Sequence, residues 1–348
     1  MKIAIITGNG QDTCHLSKLL LEKEYKVIIA TRRSGSNNFW RLKEADIFNH
    51  KNLKIEYCDI TEFHSVCELI KKHKPDELYH LAAQSFVQTS FDHVHTTFNS
   101  NTIGYINILE AVKNYSFYTR IYFAASSEMF GKVQEVPQSE TTPFYPRSPY
   151  GVTKLSSYWI GKNYRESFGI FVANGILFNH EGIFRGEEFV TRKISKAIAE
   201  MFWAYTDDKV LTTLEVGNLY SKRDWGSARD YVEGMWKMLQ QNSPDDFVLA
   251  TGHSYTIKDF IDESWRCISE ESLSWFNKDQ GIEEYAVDCY DNVVVKINSE
   301  FYRPCEVDLL LGDATKAKEI LGWESKTSFG ELVKLMVEAD IQRIRKSR

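Results

Sequence analysis

Two short stretches carry residue types that could do proton and hydride chemistry together: Ser126-Ser127-Glu128, and Tyr150-Gly-Val-Thr-Lys154. A tyrosine and a lysine four positions apart on a helix project from one face. The lysine cation favours the phenolate, so the spacing predicts a tyrosine able to take a proton near neutral pH. Taken alone, Tyr-x-x-x-Lys equally describes a snorkelling lysine beside a half-buried tyrosine. The hydroxyl pair followed by a carboxylate points further, to a redox site with an elimination acid/base attached.

Such residues need a scaffold to bring them together. Lys2–Thr7, Lys26–Thr31, Leu53–Cys58, Glu77–Leu81 and Ile121–Ala124 are predicted as strands. Helical patterns lie between them: Leu16, Leu19 and Leu20 recur at helical spacing, and stretches near His64–Lys74 and Thr102–Lys113 follow. This alternation predicts an α/β fold, a doubly wound parallel (Rossmann-type) sheet with helices on both faces. Ligands on such sheets sit at the carboxyl ends of the strands. Gly8–Thr13, Arg32–Ser34, Asp59, Leu81–Ser85 and Ser126–Glu128 all follow predicted strands and should converge on one crevice. Alternation weakens after Leu177, and Phe247–Ala250 reads as one more sheet strand. The expected division is residues 1–181, completed by about 226–256, as the cofactor-binding domain. Residues 182–225 and 257–348 would form a smaller, interleaved substrate lobe.

Gly8-Asn9-Gly10-Gln11-Asp12-Thr13 follows the first predicted strand and opens a helix. Glycines there let the backbone approach a pyrophosphate, and a helix N-terminus favours the anion. Arg32 and Arg33 end the second strand, where an NAD site carries an acid for the ribose 2′-hydroxyl; arginines suit a 2′-phosphate instead. NADP is therefore expected over NAD, with Asp59 and Ile60 near the adenine. A solvated arginine pair in a surface loop is the competing reading.

Bulk properties exclude other classes. The 348 residues are 43% hydrophobic and 26% charged, with a net charge of −6, which argues against a nucleic-acid surface. The six cysteines show no Cys-x-x-Cys pair and no metal-ligand spacing. No stretch reads as a signal peptide or a membrane span. A cytoplasmic protein without a metal is expected.

The chain resembles the extended short-chain dehydrogenase/reductases, and among them the GDP-mannose 4,6-dehydratases, from Ile3 to about Ile341. Ser-Ser-Glu-Met-Phe-Gly at 126–131 is similar to sugar-nucleotide dehydratases and decarboxylases. The segments at 132–138, 140–151, 174–181, 189–194, 222–226 and 302–308 carry the narrower resemblance. It implies NADP as cofactor, a GDP-sugar as substrate, and assembly as a homodimer or homotetramer. It implies cofactor contacts from Thr7, Gly8, Asn9, Gly10, Gln11, Asp12, Leu81, Ala82, Ala83, Ser85, Tyr150, Lys154, His180 and Arg185. Ser85, Asn179, Val190, Lys193, Arg223, Arg303 and Glu306 line up with nucleotide-sugar contacts.

The implied reaction converts a GDP-manno-sugar to its 4-keto-6-deoxy derivative. Tyr150 and Lys154 serve the C4 oxidation, Ser126 the C4 oxygen, Glu128 the C5 proton and Ser127 the leaving C6 hydroxyl. Three departures from the family pattern stand out. The first turn is one residue shorter, with Thr13 in place of a glycine. Ser126 replaces a threonine. Gly182-Ile183-Phe184 replaces Ser-Pro-Arg in a loop expected near the sugar. That loop raises a second candidate substrate, GDP-D-glycero-manno-heptose, with a longer tail at C6. A nucleotide-sugar 4-epimerase or decarboxylase of the same fold, and a non-catalytic NADP-binding sensor, are the rival readings.

Overall fold

Strand and helix alternate from the first residues onward, as the hydrophobic pattern predicts. The computed structural model describes residues 1–35, 39–278, 280–301 and 309–348. The first half runs β1 (Ile3–Thr7), α1 (Gln11–Glu22), β2 (Lys26–Thr31), α2 (Trp40–Glu44), β3 (Leu53–Tyr57), α3 (Phe63–His73), β4 (Glu77–His80), α4 (Val87–Asp92), α5 (Val94–Phe98), α6 (Gly104–Tyr115), β5 (Arg120–Ala124), α7 (Pro149–Phe168) and β6 (Val172–Leu177). The second half runs β7 (Asn179–Glu181), α8 (Val190–Thr206), β8 (Leu214–Val216), β9 (Lys222–Arg223), β10 (Trp225–Ser227), α9 (Ala228–Leu239), β11 (Asp246–Leu249), β12 (Tyr255–Thr256), α10 (Ile257–Trp265), β13 (Ser274–Phe276), β14 (Tyr285–Val287), β15 (Val293–Ile297) and α11 (Phe329–Ser347).

Seven strands form one sheet in the order β11-β6-β5-β4-β1-β2-β3, every pair parallel. An all-parallel sheet is buried on both faces, which is why its strands read as apolar runs. Alternate side chains go to opposite faces. Ala4, Ile6, Val27 and Ile29 join Leu16 and Leu20 of α1 and Met235 of α9. Ile5, Ile28, Ile121 and Phe123 join Val66 and Ile70 of α3 and Ile108 and Leu109 of α6. Strand order reverses at β1, which lies between β2 and β4, so a crevice opens there at the carboxyl edge.

β6 carries no clear strand signal in the sequence, because Asn174 and Gly175 in its middle are poor strand formers. Its neighbours explain both. Asn174 Nδ2 donates to Asp246 Oδ1 at 2.8 Å, and a Cβ on Gly175 would lie 2.5 Å from the Tyr122 hydroxyl.

A second layer covers the crevice. β13, β14, β15 and β8 form a four-stranded mixed sheet. Ile198 and Met201 of α8, Phe260 of α10 and Val337 of α11 pack with Val294 in its core. The pairs β7–β10 and β9–β12 stitch this layer to the main sheet. Among the described residues, no helix is long and apolar enough to cross a membrane.

Candidate active site

β5 runs straight into Ser126, whose Oγ accepts from the Glu128 backbone N–H at 3.2 Å and starts a one-turn 3₁₀ helix, Ser127–Met129. Opposite it, Ser148 caps α7 by accepting from Gly151 N–H at 3.0 Å, with Pro149 in the first turn. Tyr150 therefore falls in the first turn of α7 and Lys154 one turn later, on the buried face. Ser126, Ser127, Glu128, Tyr150 and Lys154 all line one cavity of about 1260 Å³.

Electrostatics correct one expectation. Burial pushes the Tyr150 phenol up to about 12; a hydrogen bond with Ser126 pulls it back, and the Glu128 charge adds to the rise. Burial brings Lys154 down to about 8 against the pull of Asp12. The lysine Nζ donates to Ala124 O at 2.6 Å and lies 5.7 Å from the centroid of the Tyr150 ring. Lys154 is thus placed against the tyrosine, but burial, not the lysine cation, dominates the phenol in this cavity.

At the end of β1, Thr7 Oγ1 lies 2.9 Å from His80 Nδ1 and accepts from the N–H groups of Leu81 and Ala82 at 3.2 and 3.1 Å. These bonds tie β1 to β4. Gly8 then turns with φ +101°, and a Cβ there would stand 3.2 Å from Ala82 Cα. Asn9 is half-buried in the turn. Gly10 opens α1 with no side-chain cap and open space around its Cα. Thr13, in place of a glycine, is accommodated: it is 1% exposed and lines the cavity. Gln11 Oε1, Asp12 Oδ1 and Thr13 Oγ1 are buried without a hydrogen-bond partner among the described residues. Leu81, Ala83 and Ser85 line the same cavity.

Asp12 and His180 form a half-buried pair at 2.9 Å. Burial opposes both charges, yet their mutual attraction wins: Asp12 is lowered and His180 raised from their ordinary values. His180 Nδ1 lies 2.9 Å from Phe178 O, and its ring stacks on Tyr231. Arg185 pairs with Glu181 at 2.9 Å and covers the Phe189 ring at 3.5 Å. Arg32 and Arg33 are exposed just past β2. Past β3, Asp59 Oδ1 accepts from Thr61 N–H and Oγ1, and Ile60 O accepts from Asn107. These four stand on the carboxyl edge of the sheet but do not line the deep cavity.

A second cavity of about 1160 Å³ adjoins the first. Asn179, Val190, Lys193 and Arg223 line it, and Asn179 and Arg223 also line the first. Arg223 Nη1 donates to Lys222 O at 2.9 Å. Lys193 lies over the Phe301 ring at 3.5 Å, and burial lowers its pKa. Arg303 and Glu306 lie outside the described residues. Phe86, Gln88, Glu188, Glu215 and Trp225 also line this cavity. All but Trp225, which belongs to the 222–226 segment, sit in no motif, and only tertiary packing brings them there.

The sequence profile of a family described as GDP-mannose 4,6 dehydratase matches residues 5–336. The chain belongs to the GDP-mannose 4,6-dehydratase family. Relatives named GDP-mannose 4,6-dehydratase include the human protein, 44% identical, with 99% of this chain and 92% of the human one covered. The Drosophila melanogaster protein is 44% identical, covering 99% and 88%, and that of Sinorhizobium fredii 43% identical, covering 100% and 99%. Among solved structures, dTDP-glucose 4,6-dehydratase from Bacillus anthracis in complex with NAD superposes with TM-score 0.79 at 18% identity, covering 99% of this chain and 98% of that one. RMD from Pseudomonas aeruginosa complexed with NADPH gives 0.74 at 19% identity, covering 99% and 100%. At such identities these two likenesses speak to the fold.

In this family member, loop 182–184 turns away from both cavities. Phe184 is buried, its ring 5.1 Å from that of His15 and 6.0 Å from that of Trp40. Ile183 packs in the same cluster. None of Gly182, Ile183 and Phe184 lines either cavity. The apolar side of α1 takes up the loop, so the expected link between this loop and a longer C6 tail has no geometric basis. Among the described residues no cluster of His, Cys, Asp and Glu is arranged to hold a metal ion.

Proposed function

We propose that the chain converts GDP-mannose to its 4-keto-6-deoxy derivative with NADP, using Ser126, Ser127, Glu128, Tyr150 and Lys154. Family membership makes it a nucleotide-sugar 4,6-dehydratase. The observation that carries the residue assignment is the convergence of those five side chains on one cavity that shares walls with a second, nucleotide-sized one.

The residues present fit a nicotinamide dinucleotide. The uncapped first turn of α1 suits a pyrophosphate. Thr13 Oγ1 has a proton to donate, and Asp12 Oδ1 is free to accept. Arg32 and Arg33 would meet a 2′-phosphate, and Asp59 the adenosine. When bound, the nicotinamide would take a hydride from the sugar C4, return it to C6 and add positive charge to the cavity.

Losing water across C5–C6 is slow because the C5 proton is not acidic. A ketone at C4 changes that, since the C5 carbanion becomes an enolate. Tyr150 takes the C4 hydroxyl proton as a phenolate, a form that burial alone disfavours and that Lys154, charged below about pH 8 and 5.7 Å from its ring, favours together with the positive charge a bound cofactor would add. Ser126 hydrogen-bonds the C4 oxygen as its charge develops. Glu128 removes the C5 proton and passes a proton to the departing C6 hydroxyl, which Ser127 orients. Asn179, Lys193 and Arg223 hold the diphosphate, Val190 packs on the base, and Arg303 and Glu306 complete the nucleotide site by resemblance.

The same reading assigns residues 1–181 and about 226–256 to the cofactor and the rest to the substrate. It also includes a homodimer or homotetramer, since Val152 and Trp159 on α7 are 39% and 53% exposed on one face. Light scattering tests the assembly. The test of function is mass spectrometry of GDP-mannose incubated with protein and NADP, expecting a product lighter by one water. Glu128→Gln should slow that conversion by about 10²–10⁴ while nucleotide binding persists. Conversion by this variant at the parent rate would remove Glu128 from its role.

A further inference from the structure

Among the described residues, six wall both cavities: Phe86, Asn179, Arg185, Glu188, Phe189 and Arg223. They form the neck that a nucleotide sugar must span when its base lies in one cavity and its reacting carbons in the other. Arg185 and Arg223 suit the diphosphate that crosses it. Glu188 runs against that logic, because a carboxylate repels a diphosphate. Its side chain folds back over Gly186, where a Cβ would stand 2.4 Å from each carboxylate oxygen. Arg41 feels its charge, yet the Arg41 Nε is already committed to Phe184 O at 2.7 Å. Glu188 makes no hydrogen bond or ion pair with any described residue, and it is exposed to the neck.

An ionised carboxylate only accepts hydrogen bonds, with about four lone-pair positions. The partner it fits is a pair of neighbouring hydroxyl donors. In the reaction proposed above, C4, C5 and C6 face Tyr150, Ser126 and Glu128, and C1 carries the phosphate. The hydroxyls left over are those on C2 and C3. We propose that Glu188 is a specificity-determining residue that accepts hydrogen bonds from the C2 and C3 hydroxyls of the GDP-sugar. This rests on reading the site as that of a GDP-mannose dehydratase.

The test measures kcat/KM for GDP-mannose and for its 2-deoxy and 3-deoxy analogues, with the parent protein, Glu188→Gln and Glu188→Ala. Inhibition by GDP is measured alongside. The parent should prefer GDP-mannose over the deoxy analogues by roughly 10- to 100-fold, the range of a hydrogen bond to a charged group. Glu188→Ala should abolish that preference, mainly through KM for GDP-mannose, while Glu188→Gln retains part of it. The GDP inhibition constant should not rise, since Glu188 holds the sugar and its carboxylate only repels the diphosphate. Retention of the parent's preference by Glu188→Ala overturns the proposal. So does a rise in the GDP inhibition constant in step with KM, which would make Glu188 a nucleotide contact. A parent protein that leaves GDP-mannose unchanged fails the underlying reading instead.

Discussion

Lys154→Met should make the protein more stable at neutral pH while stopping its first chemical step. Burial moves the lysine from 10.5 to about 8. At about 1.36 kcal/mol per pK unit, holding the ammonium in the folded cavity costs about 3 kcal/mol below pH 8. The sign follows from proton counts. The folded protein releases this proton near pH 8, whereas the unfolded chain keeps it to about 10.5, so between those values the unfolded state binds more protons and stability rises with pH. By pH 9.5 the penalty falls to about 1 kcal/mol. Methionine has similar length and no charge, but it leaves Ala124 O without the 2.6 Å hydrogen bond, a loss of about 1–2 kcal/mol. The variant should gain about 1–2 kcal/mol at pH 7. The pH dependence is the sharper readout: the parent should recover about 2 kcal/mol relative to the variant between pH 7 and 9.5, whatever the packing change contributes. Urea unfolding of both proteins at both pH values measures it. A difference that stays constant across that range would refute the claim that a charged lysine is held in this cavity against burial.

Replacing Arg32 and Arg33 together by Ala should lower the preference for NADP over NAD by about tenfold or more, read from the ratio of Kd values in fluorescence titrations. An unchanged ratio takes the 2′-phosphate away from this pair. Asp12→Asn removes the charge that raises His180. By NMR, the imidazole should titrate above 6.5 in the parent and below it in the variant, where burial acts alone. Titration at one pH in both proteins refutes the ion pair. In the parent, the stability from this pair should be present below pH 6.5 and fade as pH rises through the raised value of His180; it should also fade as pH falls through the lowered value of Asp12.

The convergence of Ser126, Glu128, Tyr150 and Lys154 on one cavity was legible because its geometry is local. Helix spacing puts Tyr150 and Lys154 on one face, and the rule for parallel sheets puts whatever follows β5 at the ligand edge. Six of the seven sheet strands could be read from apolar runs; β6 could not, because its Asn174 and Gly175 answer to Asp246 and Tyr122 rather than to any periodicity. The shortened first turn looked like a departure, yet Thr13 packs where it stands.

Sequence by itself determined the fold class, the family and the five side chains that line the deep cavity together, since each follows from short-range spacing or from motifs in a fixed order. Tertiary structure decided the rest. It turned Phe184 toward His15 and Trp40 and away from both cavities, brought Glu188 and Phe86 to the neck, and raised Tyr150 despite its lysine. The physical reason is common to all three. The direction of a loop side chain and the energy of a buried charge are sums over neighbours far apart in the chain, and no local pattern contains those sums.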